Sequence, residues 1–180
     1  MILRKIKWFH KGQAGFTMIE LIASLAISGV IGLGATVSSF EVINQTVKNN
    51  DYTTANRQVL NAMKWIGRDA QMAQSVTGWE HFPATSNLTL SWVTWDNQSA
   101  QVVYSVNPHT FELRRTFTQG AGPAQVTLIA QYVKIDPASS SCVWDNNTGQ
   151  LVLTLTGSVD TGARVVNVTR LDTTASRPKL

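Results

Sequence analysis

The sequence has very few of the residues that form disulfides and metal sites. Among its 180 residues Cys142 is the only cysteine, so an intrachain disulfide is excluded. A lone cysteine is most often a buried small hydrophobe, and no functional role is expected for Cys142. The histidines, His10, His81 and His109, are too scattered for metal-ligand spacing. No nucleophile–base pattern, phosphate loop or pair of catalytic carboxylates is evident, so we expect neither an enzyme nor a bound metal or cofactor.

Acidic residues are missing from the N-terminus. Residues 1–15 contain Arg4, Lys5, Lys7 and Lys11 and no aspartate or glutamate. The whole chain has 15 Lys and Arg against 11 Asp and Glu, so without these four residues it would carry 11 of each and no formal net charge. Because the excess positive charge is confined to this leader, overall charge gives no reason to expect a nucleic-acid partner.

Charge is also nearly absent from the next segment. Between Phe16 and Phe40 the one charged side chain is that of Glu20, and the other residues are apolar, glycine or hydroxyl-bearing. A helix of this length rises about 37 Å, enough to cross a bilayer core of about 30 Å. Positive charge lies only on its N-terminal side, which predicts a single pass with a cytoplasmic N-terminus and an extracytoplasmic C-terminal region. A carboxylate such as Glu20 is costly in lipid and calls for a partner.

Helix breakers are absent well beyond the apolar run. The sequence has no proline before Pro83 and no glycine between Gly34 and Gly67. Apolar residues recur every three or four positions, the period of a helix with one buried face. They are Tyr52, Ala55, Val59, Met63, Ile66, Ala70 and Ala73. This pattern predicts that the helix continues to about Val76 and stops at Thr77-Gly78.

From Asn87 onward the apolar period changes to two, which is typical of strands. We predict strands at 88–93, 100–106, 110–117, 125–133, 150–156 and 163–171. Turn-forming residues separate them at 96–99, 107–109, 119–123, 145–149 and 157–162. Short strands joined by such turns favour an antiparallel β-sheet, with the long helix as the second packing layer. The predicted fold class is therefore α+β.

Three features of the β-region have alternative interpretations. Arg114 and Arg115 are adjacent in a predicted strand, so their side chains should point to opposite faces and not form an anion site. The segment 145–149 is interpreted as a hairpin turn, because it lacks the further ligands of a calcium loop. Four tryptophans are interpreted as core or subunit-contact residues, or alternatively as a carbohydrate-stacking face. These are Trp79, Trp92, Trp95 and Trp144.

The stretch Gly15-Phe16-Thr17-Met18-Ile19-Glu20-Leu21 joins the basic leader to the apolar run. It resembles the processing site of type IV prepilins and type II secretion pseudopilins. The resemblance implies that a prepilin peptidase recognises the leader cations Arg4, Lys5, Lys7 and Lys11. The peptidase would then cut after Gly15 and methylate Phe16. It also implies that Glu20, at the fifth position of the processed chain, sets register by pairing with the Phe16 ammonium of a neighbour or its own.

The same resemblance implies the domain organisation of a pilin. Residues 1–15 would be a leader that is removed, 16–40 a transmembrane or filament-core helix, 41–78 an amphipathic periplasmic helix and 79–180 a β-rich globular domain. The shape implied is a lollipop with the helix as its stem. Within the helix, one stretch is similar to J-type minor pseudopilins and W-type minor pilins. Its residues are Arg57, Leu60, Met63, Ile66, Arg68, Asp69 and Ala73.

A structural subunit of this kind would have several partners. The resemblance implies the prepilin peptidase, other pilin or pseudopilin subunits, an inner-membrane assembly platform and membrane lipid. Type II secretion, a type IV pilus and a competence system all remain open as the machine that the chain serves. Two further hypotheses are a membrane-anchored module that binds glycans through its tryptophans, and DNA capture at a competence pilus.

Overall fold

The computed structural model describes residues 15–160 and 165–175. The leader cations Arg4, Lys5, Lys7 and Lys11 lie outside the described residues, and the predictions made for them remain predictions. The chain divides into two compact units, residues 1–45 and 46–180.

A single α-helix, α1, spans Met18–Met72, as the absence of proline and the apolar period predicted. In the first unit its side chains are exposed. In the second unit one face is buried, and this face includes Ala55, Val59 and Ile66, which have no exposed surface. Tyr52 was expected to begin this buried face, but 49% of its surface is exposed. That expectation was wrong, and the buried face begins one turn later, at Ala55.

The helix ends four residues before the predicted boundary at Val76. Ser75–Thr77 is instead a short strand, β1, which pairs with the next strand so that Val76 lies opposite Leu90. Just before it, the Gln74 N–H donates to the carbonyl oxygen of Ser91 at 2.9 Å. Pairing with a distant strand therefore overrides the local helical period at this point. A 3-10 turn at Trp79–His81 follows.

Seven further strands lie in the described part of the β-region. They are β2 (Leu88–Val93), β3 (Ser99–Val106), β4 (Leu113–Gln119), β5 (Gln125–Ala130), β6 (Ser141–Asp145), β7 (Gln150–Asp160) and β8 (Val165–Ala175). They form a five-stranded sheet in the order β1-β2-β3-β4-β5 and a three-stranded sheet in the order β6-β7-β8. All pairings between these strands are antiparallel. One long helix followed by antiparallel sheets is the α+β fold that the sequence predicted.

The two sheets are joined where the chain leaves β5. Val133 forms an isolated bridge with Gly157 of β7. Beside it the Lys134 N–H donates to the Thr156 carbonyl at 2.8 Å, and the Ser158 N–H donates to the Tyr132 carbonyl at 2.7 Å. Helix α1 and both sheets contribute to one hydrophobic core, which includes Ile66, Leu88 and Leu155. Cys142 is also part of this core, in agreement with its interpretation as a small hydrophobe.

Several strand predictions differ from the structure. Strand β5 ends at Ala130 and not at 133, and strand β8 continues to Ala175, beyond the predicted end at 171. Strand β6 was not predicted. Strand β4 begins at Leu113 and not at 110, because the preceding residues form a turn in which the Phe111 N–H donates to the Asn107 carbonyl at 2.8 Å. Gly157–Asp160 was expected to be a turn but continues β7, and a side chain at Gly157 would collide with helix α1. This glycine permits close approach of strand and helix.

Candidate functional site

Thr17 and Glu20 form the N-terminal cap of helix α1. Thr17 precedes the first helical residue, Met18, and its hydroxyl oxygen accepts a hydrogen bond from the Glu20 N–H at 3.4 Å. In return, Oε2 of Glu20 accepts the Thr17 N–H at 2.9 Å and the Thr17 hydroxyl at 2.8 Å. This reciprocal arrangement is a capping box, which satisfies donors that a helix N-terminus leaves unpaired. Glu20 thus has a partner within its own chain.

Other polar side chains of the apolar run bond to the backbone of their own helix. The Ser24 hydroxyl donates to the Leu21 carbonyl, and those of Thr36 and Ser39 donate to carbonyls four residues earlier, all at 2.8–2.9 Å. Hydroxyl groups satisfied in this way are tolerated in an apolar environment. These hydroxyl groups carry no charge, so Glu20 remains the one charged side chain between Phe16 and Phe40.

The apolar side chains of the same segment are uncovered. Phe16 is 84% exposed, and the hydrophobic residues that follow are also largely exposed. Helix α1 is, in the part of the chain that the structure describes, the one helix long and apolar enough to cross a membrane, with a mean hydropathy of 1.9 over its most apolar window. Exposed apolar surface on this scale marks a membrane or protein contact.

Gly15 lies next to this helix start with open space around it. A Cβ atom added to Gly15 would have no heavy-atom neighbour within 4 Å. Among the described residues, none therefore imposes a steric requirement for glycine at this position.

A second polar cluster, which the sequence did not predict, lies inside the β-containing unit. Asp69 of α1 is 1% exposed, and its Oδ2 accepts hydrogen bonds from Arg115 Nε at 2.7 Å and from the Tyr104 hydroxyl at 2.6 Å. Arg115 Nη2 donates to Oδ1 of the same carboxylate at 3.1 Å. The guanidinium also lies over the rings of Trp65 and Phe117, 5.3 and 5.2 Å from their centroids. The cluster joins helix, β3 and β4.

Burial and charge fix the protonation states in this cluster. Burial, reinforced by the negative charge of Asp69, raises the pKa of Tyr104 far above its usual value. Burial alone would lower the pKa of Arg115, but the hydrogen bonds and charge of Asp69 raise it. Tyr104 therefore remains a neutral donor and Arg115 a cation. Arg114 points away and pairs with Glu112 at 2.9 Å, so the two arginines face opposite sides as predicted.

The model of a protein family described as "Prokaryotic N-terminal methylation motif" matches residues 10–36, which contain Gly15, Phe16 and Glu20. The match covers 27 of the 180 residues and is consistent with a type IV pilin or pseudopilin. This match confirms the resemblance that the Gly-Phe junction, the glutamate and the apolar run suggested. The motif implies processing by a prepilin peptidase and assembly with other pilin subunits. The long apolar helix and the motif together fit a membrane-anchored protein. No curated protein and no solved structure gives a significant match.

The described β-region contains few candidates for other chemistry. Segment 145–149 is the predicted hairpin turn, in which Asp145 Oδ2 accepts the Thr148 hydroxyl at 2.7 Å and the Gly149 N–H donates to the Asp145 carbonyl at 2.8 Å. The hydrogen bond from Thr148 is the main reason that the pKa of Asp145 is lowered. Among the described residues no group of three or more His, Cys, Asp or Glu side chains could hold a metal ion.

The tryptophans proposed for glycan binding occupy different environments. Trp79, Trp92 and Trp144 are partly buried against the hydrophobic core, and Trp92 stacks on Phe117 with centroids 6.3 Å apart. Trp95 is 99% exposed. Packing of three of the four rings against the core favours the interpretation of those three as core residues. Trp95 is the exception.

Proposed function

We propose that the chain is a minor pilin or pseudopilin, a structural subunit of a type II secretion pseudopilus or a type IV pilus. The observation that carries the proposal is the methylation motif at residues 10–36, with Gly15 directly before Phe16 and Glu20 four residues after Phe16. The uncovered apolar helix that follows supports it, since a subunit of such an assembly needs this surface first for lipid and then for its neighbours.

In this proposal the precursor inserts with its basic leader in the cytoplasm and its β-domain outside. The prepilin peptidase binds the leader cations and hydrolyses the Gly15–Phe16 peptide bond, so that the nitrogen of Phe16 becomes an ammonium that is then methylated. Residues 16–40 anchor the processed chain in the inner membrane, the helix continues outside it to Met72, and the residues that follow form the globular domain. At the assembly platform the helix then leaves the bilayer and packs against the other subunits.

The capping box gives Glu20 a stable position during these steps. Both of its contacts with Thr17 use Oε2, and both persist after cleavage because Thr17 stays in the chain. The carboxylate can still form an ion pair with the Phe16 ammonium of a neighbouring subunit. Opposite charges attract strongly where water is excluded, whereas an unpaired charge there is heavily penalised. Pairing of Glu20 with Phe16 would therefore favour one axial register between subunits.

Replacement of Glu20 by alanine tests this role. Glu20→Ala should be inserted and cleaved like the unmodified chain, yet its amount in the sheared filament or pseudopilus fraction should fall severalfold. Glu41→Ala is the matched control, because Glu41 is an exposed helical acid beyond the apolar run whose Oε1 accepts from Gln45 at 3.1 Å. Incorporation of Glu20→Ala at the level of this control would contradict the proposed role.

A further inference from the structure

A groove of about 480 Å³ in the β-containing unit is lined by the turn before β4, the segment that follows β5 and the end of β7. We call it the aromatic groove, because the rings of Phe111 and Tyr132 contribute to its lining. These side chains are 43% and 41% exposed, so much of their apolar surface is uncovered. The volume lies in the range of about 300–1,000 Å³ that is usual for small-molecule sites.

The backbone of both aromatic residues has an unusual conformation. Among the described residues three that are not glycine have positive φ, namely Phe111 (54°), Tyr132 (64°) and Asn97 (61°). Asparagine adopts this conformation readily, whereas bulky aromatic residues adopt it rarely and with strain. Residues held in strained conformations cluster at positions that bind ligands. Two of the three residues are the aromatic side chains of one groove.

Hydrogen bonds hold the backbone at both rings in place. The Phe111 N–H donates to the Asn107 carbonyl at 2.8 Å, and the Val133 N–H donates to the Phe111 carbonyl at 3.0 Å. The Ser158 N–H donates to the Tyr132 carbonyl at 2.7 Å. The aromatic lining is therefore ordered without a ligand, which reduces the conformational entropy lost when a ligand binds.

The polar lining of the groove carries charges of both signs. Lys134 contributes a cation, and Asp136 and Asp160 contribute carboxylates. Asp136 is held by its own segment, since its Oδ1 accepts the Ala138 N–H at 3.2 Å and its Oδ2 accepts the Ser139 hydroxyl at 2.9 Å. The hydrogen bond from Ser139 is the main reason that the pKa of Asp136 is lowered. Each carboxylate oxygen has a second lone pair with which it can accept from a ligand.

This combination of rings and polar groups selects a class of ligand. A purely apolar ligand would cover the charged groups without giving them hydrogen bonds, which is unfavourable. A ligand with a single charge would meet a like charge as well as an opposite one. A neutral sugar has neither disadvantage, because its hydroxyl groups donate to carboxylates and accept from an ammonium. Thr110 and Ser158 add hydroxyl groups of their own to the lining.

We propose that the aromatic groove is a binding site for a neutral saccharide. The C–H face of a sugar ring packs on the rings of Phe111 and Tyr132, which supply the apolar part of the contact. Asp136 and Asp160 accept hydrogen bonds from the sugar hydroxyls, and Lys134 donates to them. The site therefore has a group for each side of an amphipathic, uncharged ring.

The inference relocates glycan binding from the tryptophans to a groove that the sequence did not indicate. Trp79, Trp92 and Trp144 pack against the hydrophobic core, whereas the rings of the groove are available to a ligand. Saccharide binding goes beyond the proposed subunit function. It requires neither cleavage at Gly15 nor the charge of Glu20, so the two proposals fail in different experiments.

Binding of the full chain to neutral oligosaccharides tests the site. The protein is purified in a detergent without a sugar headgroup and applied to an array of oligosaccharides of glucose, galactose, mannose and N-acetylglucosamine. The saccharide that is bound best is then titrated in solution. Saturable binding to at least one of these saccharides is expected, and a folded chain that binds none of them would overturn the proposal.

Ring variants show whether the groove is the site. Phe111→Asn and Tyr132→Asn remove a ring at positions whose φ asparagine adopts readily, and each should weaken binding about tenfold. Tyr132→Phe keeps the ring and should bind as the unmodified chain does. Trp95→Ala is the matched control, because it removes a 99% exposed ring that is not part of the groove lining, and it should leave binding unchanged.

Asp136→Asn tests the polar part of the site and does not depend on the folding of the ring variants. It replaces one acceptor by a donor on an exposed side chain, and it should weaken binding severalfold. Trp fluorescence and urea unfolding verify that each variant is folded. Unchanged affinity in the folded groove variants, or loss of binding in Trp95→Ala, would overturn the proposal.

Discussion

Arg115 Nε lies 2.7 Å from Oδ2 of Asp69, which joins strand β4 to helix α1 across 46 positions of sequence. The side chains of Arg115 and Asp69 are 13% and 2% exposed, so the ion pair is largely removed from water. Tyr104 donates to the same oxygen from the neighbouring strand β3. This cluster fixes the position of the helix on the sheet more specifically than apolar packing alone, because each polar group has a definite partner.

Removal of Asp69 should destabilise the β-domain strongly. Asp69→Ala leaves a buried guanidinium and a buried hydroxyl without their acceptor, which costs about 3–5 kcal/mol. Arg114→Ala, at the adjacent position, removes an ion pair that is half exposed on the arginine side and should cost less than about 1 kcal/mol. Urea unfolding of the full chain in detergent, followed by Trp fluorescence, measures both. Equal effects would show that burial of the Asp69 pair does not determine its contribution.

Two glycine-to-alanine changes should have opposite effects on stability. At Gly157 a Cβ would lie 2.7 Å from Val59 Cγ2 and 3.0 Å from the Ala55 carbonyl oxygen, and we expect a loss of about 1–3 kcal/mol. At Gly67, inside helix α1, the nearest atom is the Thr174 hydroxyl at 3.2 Å, which can rotate away. Gly67→Ala should therefore be neutral or gain up to about 1 kcal/mol of helix propensity. Urea unfolding measures the stability of both variants. A Gly157→Ala chain that is more stable than the unmodified chain would contradict the close approach of β7 to the helix.

Cys142 should make stability depend on alkaline pH. Burial raises the pKa of its thiol from 9.0 to about 12. Below pH 9 the thiol is protonated in both states, but above pH 9 it ionises in the unfolded chain first. Stability from this group is therefore lost as pH rises from 9 towards 12, at up to about 1.4 kcal/mol per unit. Cys142→Ala should have the flatter dependence between pH 9 and 10. Parallel curves for the two proteins would contradict a buried thiol.

The sequence predicted the parts of the fold that depend on local period. The long helix, the antiparallel strands and the turn at 145–149 follow from apolar spacing and turn residues. The predicted end of the helix was wrong because Val76 pairs with Leu90, a contact that the spacing of apolar residues cannot predict. Gly157 was misinterpreted as a turn residue because glycine also serves where two backbones approach closely.

The residues of the candidate sites also differ in whether the local sequence indicates them. Gly15, Phe16 and Glu20 lie within six consecutive residues, so their resemblance to a prepilin processing site is visible in the sequence. The capping box was not predicted, although Thr17 and Glu20 are three positions apart, the interval that this motif requires. The Asp69–Arg115 pair, by contrast, depends on the position of a strand relative to the helix, which no periodicity determines.

The N-terminus of the membrane-bound chain tests the central claim most directly. Mass spectrometry of the unmodified protein should show loss of residues 1–15 and a methylated Phe16. Gly15→Glu should retain the whole leader, and a Cβ atom at this position meets no heavy atom within 4 Å. Glu20→Ala, with its junction intact, should be cleaved normally. An unmodified chain that keeps its leader, or a Gly15→Glu chain that is cut before Phe16, would contradict the account.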